Sequence, residues 1–141
     1  MVQLIVGDRG KGKTKYLIDS ANDAIREASG NIVYLDKNSK HMYELNNKIR
    51  LIDISPYPVR GYDQLEGFIC GVISQDHDIE SIYIDSFSYL ADIQDIKTDL
   101  EKAIGQIEAI STAFNVDFVV SISNDKSELS EELQEKIVIA L

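Results

Sequence analysis

The octapeptide Gly7-Asp8-Arg9-Gly10-Lys11-Gly12-Lys13-Thr14 constrains this chain more than any other stretch. It follows directly on the apolar run VQLIV at 2–6. It precedes a segment in which Leu17, Ala21, Ala24, Ile25 and Ala28 recur at helical spacing. Glycines and lysines therefore crowd the point where a strand hands over to a helix. The first N–H groups of a helix have no partners within it, and glycine lets the backbone ahead of them adopt conformations closed to other residues.

The same alternation continues along the chain. Runs of strand length, rich in Ile and Val, occur at 32–35, 49–54, 82–84, 116–122 and 137–141. Between them, Leu65, Phe68, Ile69, Val72 and Ile73, and then Leu100, Ala103, Ile104, Ile107, Ile110 and Phe114, follow a period of 3.6. Shorter helices are expected at 40–47 and 128–134, and Gly30 is expected to close the first helix in a left-handed conformation. Strands alternating with helices imply right-handed crossovers. They predict an α/β architecture, a mostly parallel sheet of five to six strands flanked by helices on both faces. No repeat, low-complexity tract or linker intervenes, so 1–141 reads as a single domain.

In such a sheet the C-terminal ends of the strands share one rim, where ligands bind. Beside the glycine-rich loop, that rim collects Asp36, Lys37 and Asn38, then Asp53 and Ser55, then Asp85, Ser86 and Ser88, and finally Ser121, Ser123, Asn124 and Asp125.

Composition narrows the partners. No apolar run approaches the roughly 18–20 residues of a membrane span, and the N-terminus lacks the basic stretch and cleavage site of a signal peptide. A single cysteine, Cys70, forbids an internal disulfide and suits a reducing compartment, so the cytoplasm is the expected location. Cys70 itself reads as a buried thiol inside a helix. A net charge of -10 repels nucleic acid over most of the surface. The local exception is Lys37, Lys40, His41, Lys48 and Arg50, diluted by Asp36, Glu44 and Asp53, which reads first as a solvated face.

The loop matches G-x-x-x-x-G-K-[ST], a phosphate-binding pattern. Its N–H groups can curl round phosphate oxygens, with Gly10 and Gly12 supplying the backbone freedom, and the following helix adds its dipole and open N–H groups. Lys13 would reach the β- and γ-phosphates. The Thr14 hydroxyl would ligate Mg²⁺, a cation that prefers oxygen. Arg9 and Lys11 add charge at the mouth, and Gly7, Asp8 and Lys15 complete the stretch expected to meet the nucleotide. A carboxylate at the end of a neighbouring strand is also required, and Asp85 in SIYIDSFSYL supplies it. His41 and His77 have no ligand partners at suitable spacing, so no metal site built by protein alone is expected. Arg60 in YPVRGYD is a candidate arginine finger, although solvation is the commoner fate of such a residue.

These two motifs resemble the P-loop NTPase superfamily, and the resemblance covers essentially the whole chain. Within that superfamily, IDSFSYL resembles the Walker B segment of RecA-like ATPases, and NIVYLDKN falls where that group carries its second strand. FVVSISND resembles the sensor strand, whose polar end, Ser123 or Asn124 here, feels the γ-phosphate. The chain is also similar to small stand-alone bacterial ATP-binding proteins loosely labelled as relatives of twitching-motility ATPases, although those motors are far longer and carry boxes absent here.

The resemblance implies a three-layer P-loop fold with the loop-bearing strand inside the sheet. The sensor strand would lie between it and the Asp85 strand, with IVIAL on the other side. It further implies ATP and Mg²⁺ as ligands; the leading expectation for this chain is a slow ATPase whose site a protein partner or homo-oligomer formation completes.

The chain departs from this pattern at the catalytic base. RecA-like enzymes place a glutamate near the end of the second strand, and many relatives place one directly after the Walker B aspartate. Here those positions hold Asn38, or the nearby Asp36, and Ser86. Asp36 is the nearest substitute, with Asp53 and Glu66 as others. GTP is disfavoured, because Asn124-Asp125-Lys126 scrambles N-K-x-D and Asp85-Ser86-Phe87-Ser88 lacks the glycine of D-x-x-G. Adenine, held by Tyr57 or the C-terminal segment, is the better expectation. Two alternatives stand beside an ATPase. One is a small-molecule or nucleoside kinase, for which only Arg50 and Arg60 could serve a lid, and the other is a non-catalytic switch.

Overall fold

Each of the six apolar runs becomes a strand in the computed structural model, which describes residues 1–141. They are β1 Val2–Val6, β2 Asn31–Asp36, β3 Arg50–Asp53, β4 Ile79–Ile84, β5 Asp117–Ile122 and β6 Ile137–Ala140. All five pairings are parallel, in the order β3-β2-β4-β5-β1-β6. β1 thus lies inside the sheet between β5 and β6, and β5 separates β1 from β4. The neighbour relations expected for the loop-bearing strand are those observed, and the sheet is wholly rather than mostly parallel.

Five helices join the strands: α1 Lys13–Glu27, α2 Tyr62–Ser74, α3 Phe87–Leu90, α4 Glu101–Phe114 and α5 Glu131–Gln134. A π-helical turn, Ile96–Leu100, runs straight into α4. Because side chains alternate along a strand, the sheet has two distinct faces. Leu4, Val6, Leu35, Ile82, Ile84, Phe118 and Val120 join α2 and α4 in a core of 27 buried residues. Ile5, Ile32, Tyr34, Tyr83 and Val119 face Leu17, Ile18 and Ala21 of α1 in a core of 10. The smaller core is completed by Leu45 and Ile49 from the segment between β2 and β3. The result is three layers, with one helix on one face and two long helices on the other. By the same alternation Asp36, Asp85 and Ser121, two residues beyond Tyr34, Tyr83 and Val119, project on the side of α1. No helix is long and apolar enough to cross a membrane.

Two local expectations are corrected. Residues 40–47 form turns instead of a helix. Asn38 Oδ1 accepts from the Lys40 N–H, Asn46 Oδ1 from the Lys48 N–H and Asn22 Oδ1 from the Asn46 N–H. Such side-chain bonds offer the backbone an alternative to helical pairing. Gly30 is not the left-handed cap of α1, because the helix stops at Ala28, which is extended. Steric crowding explains the glycine instead, since a Cβ there would meet the Asp78 carbonyl oxygen at 2.2 Å and Glu80 Cγ at 2.8 Å. The 128–134 expectation divides into a 3₁₀ turn, Lys126–Glu128, and α5, capped by Ser130. Neither α3 nor the π-helical turn was foreseen.

Gly30→Ala must push β2 away from the Asp78 backbone, and overpacking of this kind costs about 1–3 kcal/mol. Urea denaturation should show a correspondingly lower midpoint with the same slope. An unchanged midpoint would mean that the β2–β4 approach relaxes freely.

Candidate functional site

The glycine-rich loop leaves β1 and turns into α1 through two left-handed residues, Gly10 at φ 86° and Gly12 at φ 89°. At both positions a Cβ would meet no protein atom within 4 Å, so backbone conformation alone calls for glycine. Gly12 caps α1 with no side-chain hydrogen bond, which leaves the helix N-terminus facing the loop. Gly7 has a different reason: a Cβ there would come within 3.0 Å of Leu141 Cβ, so the C-terminal segment packs against the loop's base.

Lys13 folds back over the loop and donates to the Asp8 carbonyl at 3.2 Å. Its residue is only 8% exposed. Burial lowers its pKa, while the charges of Asp85 and Asp8 act the other way. A cation in such a setting attracts an anion more strongly than one in bulk water does.

The loop meets the sheet at Asp85. Thr14 Oγ1 donates to Asp85 Oδ2 at 2.8 Å, and the Tyr34 hydroxyl donates to the same oxygen at 3.2 Å. Asp85 Oδ1 accepts from Ser121 Oγ and from the Ser86 N–H, both at 2.8 Å. Ser86 holds a left-handed backbone, φ 58°, a conformation that costs a non-glycine residue on the order of 1–2 kcal/mol. Its N–H also reaches Ser121 Oγ at 3.0 Å.

Two neighbouring oxygen ligands of an octahedral Mg²⁺, each at 2.0–2.1 Å, stand about 2.9 Å apart. The Thr14–Asp85 separation of 2.8 Å is that of an ordinary O–H···O bond, and both oxygens are of the hard type that Mg²⁺ prefers. No three His, Cys, Asp or Glu side chains converge as an all-protein metal cage. A Mg²⁺ site that also draws on water and phosphate needs no such cage.

Above this corner lies a cleft of about 810 Å³. Arg9, Gly10, Gly12, Lys13 and Thr14 line one end, and Asp85, Ser121, Ser123 and Asn124 line its middle. The far arm contains Lys37, His41, Ser88 and Tyr89, with the Lys37 ammonium 4.8 Å from the centre of the Tyr89 ring. The Ser88 hydroxyl there is buried without a partner. His41 Nδ1 pairs with Glu44 Oε2 at 2.5 Å, a partner at i+3 that the spacing argument overlooked.

The remaining candidates lie elsewhere. Lys15 is exposed and pairs with Asp19 at 3.3 Å, and Asp8, Lys11 and Gly7 support the loop without lining the cleft. Asp36 is buried beneath the lining and accepts from the Lys37 N–H at 2.7 Å. Burial first, and then the charge of Asp85, raise its pKa to about 6. Asp53 caps the Ser55 N–H, and Glu66 accepts from Tyr62 on α2. Arg60 lines a separate pocket with Tyr62, Asp99 and Lys102. Arg50 pairs with Asp76 at 2.8 Å at the opposite end of the sheet, while Tyr57 packs on Phe68.

Sequence reasoning missed Tyr34. The signal was available: a phenol in the middle of the apolar run 32–35 needs a hydrogen-bond acceptor. Ser121 was placed on the rim, but its bond to Asp85 was not anticipated. No protein-family model and no curated protein matches the chain.

The Asp36 environment predicts a pH dependence. Its folded pKa, about 6, exceeds the ordinary 3.8, so the folded state holds this proton more tightly. Its stabilising contribution is present below about pH 4 and is lost as pH rises through about 6. Asp36→Asn keeps an acceptor for the Lys37 N–H but cannot ionise. The variant should gain on the order of 1–3 kcal/mol over the parent at about pH 8 and almost nothing at about pH 4, as read by urea denaturation. A gain that grows towards acid would contradict this.

Proposed function

We propose that the chain is a Mg²⁺-dependent ATP-binding protein with a RecA-like P-loop core, hydrolysing ATP slowly unless a protein partner or self-assembly completes its site. The observation that carries this reading is the 2.8 Å bond between Thr14 and Asp85, formed beside a left-handed glycine loop and a buried lysine. In this reading the loop N–H groups and the α1 N-terminus cradle the phosphates. Lys13 leaves the Asp8 carbonyl for the β- and γ-oxygens. Thr14 and Asp85 would hold Mg²⁺, which would supply positive charge to offset that developing on the phosphates. Ser123 or Asn124, at the middle of the cleft, faces the γ-phosphate.

Slow turnover follows from the residues available to activate water. Asp85 is the carboxylate that lines the cleft, and its oxygens already accept from four donors. Asp36, the substitute base, lies beneath the lining. The kinase alternative is weakened because Arg50 and Arg60 are both away from the cleft. A nucleic-acid partner is weakened because Lys37 and His41 face the cleft and Arg50 is paired. Adenine remains the preferred base and the cytoplasm the preferred compartment, both on the sequence arguments.

Calorimetry with ATP and Mg²⁺ tests this directly. Lys13→Ala should bind about 10- to 100-fold more weakly, the worth of a charged hydrogen-bonding group, with its melting temperature little changed. A folded variant of undiminished affinity would remove the proposal. In a γ-phosphate assay, free phosphate is the expected product, and a labelled acceptor would point to the kinase.

A further inference from the structure

Asp85 is held from both sides of its strand. Tyr34 donates from β2 and Ser121 from β5, the two neighbours of β4 in the sheet, each to a different carboxylate oxygen. The terminal torsion of an aspartate is broad and weakly restricted. A carboxylate pinned at one oxygen could still swing, but one pinned at both cannot.

Tyr34 is fully buried and lies outside the cleft lining. Its ring lies parallel to that of Tyr83, with the centroids 6.5 Å apart and the planes 8° from parallel. Tyr83 directs its own hydroxyl to a backbone carbonyl, that of Ser20, at 3.4 Å. A buried phenol on this face can therefore be satisfied by the backbone. The Tyr34 hydroxyl instead goes to the very oxygen that Thr14 uses.

We infer that Tyr34 and Ser121 are positioning residues that orient the Asp85 carboxylate for a divalent cation, so that Tyr34 sets the Mg²⁺ affinity of a site it never touches. The inference rests on the proposed Mg²⁺–nucleotide reading of the same corner. Groups that orient a metal's ligands typically change metal affinity by about 10- to 100-fold when removed. Tyr34→Phe keeps the ring and its stacking and deletes only the donor, and Ser121→Ala deletes the donor on the other oxygen.

The test is a titration of Mg²⁺ into protein saturated with ADP, followed by calorimetry, alongside ADP binding in EDTA. Tyr34→Phe should raise the apparent Mg²⁺ dissociation constant about tenfold or more, and Ser121→Ala should shift it in the same direction. ADP affinity of Tyr34→Phe in EDTA should stay within about twofold of the parent, because the Tyr34 hydroxyl lies outside the cleft lining. Tyr83→Phe, which removes a hydroxyl from the same stack, should leave the Mg²⁺ titration unmoved. If Tyr34→Phe does not fold, the Mg²⁺ titration of Ser121→Ala carries the test, read against that variant's own ADP affinity in EDTA because Ser121 lines the cleft.

Titrations of Tyr34→Phe and Ser121→Ala that superimpose on the parent would overturn the positioning role and leave the nucleotide reading intact. Equal losses with and without Mg²⁺ would reduce both residues to structural support and overturn it as well. A parent protein that binds ADP with no dependence on Mg²⁺ would remove the underlying reading, and the inference with it.

Discussion

A carboxylate taken out of water must be compensated on every side, and Asp85 is the group around which this protein arranges that compensation. It is 5% exposed and accepts four hydrogen bonds, one from α1, one from β2, one from β5 and one from the backbone that follows it. Losing any one of these would leave a buried charge less than fully paired, which is costly. The placement of α1 on the sheet, the alternation of β2 and β5, and the left-handed Ser86 all serve this one group. The same arrangement puts an oxygen pair and a buried ammonium at the mouth of one cleft.

The parallel order of the sheet decides what else reaches that cleft. β1, β5, β4 and β2 lie side by side, so their C-terminal ends bring the glycine loop, Asn124, Asp85 and Lys37 into one line. With neighbouring strands spaced about 4.8 Å apart, the line extends roughly 14 Å from the loop to Lys37. A net-negative protein thereby gathers Arg9, Lys13 and Lys37 around a single hollow. Its remaining carboxylates are largely outside that hollow.

Much of this was legible before any coordinates. Strand and helix periods are local properties of a sequence, and apolar runs such as VQLIV and FVVSI allowed no other use. The pairing of Thr14 with Asp85 was legible because a glycine loop and a strand-ending aspartate are both readable by pattern. The Tyr34 and Ser121 contacts were not, because they depend on which strands become neighbours and on the face each side chain takes. The 40–47 segment failed for another reason: Asn38 and Asn46 satisfy the backbone in turns, and Asn22 does so through a contact that only the folded chain brings together. Gly30 misled because a glycine after a helix has two explanations, and only the nearness of the Asp78 carbonyl distinguishes them.

One feature of α1 reaches further than its loop. The helix is tied near both of its ends to β4 and the residue that follows it, through Thr14 and Asp85 at one and, at the other, through Ser29 and Gly30 just past the helix, whose N–H groups meet Glu80 at 2.9 and 2.7 Å. The helix spans about 22 Å between these attachments, at 1.5 Å per helical residue. Tied near both ends, α1 has a fixed height along β4, and that height sets where the glycine loop stands against the ends of the strands.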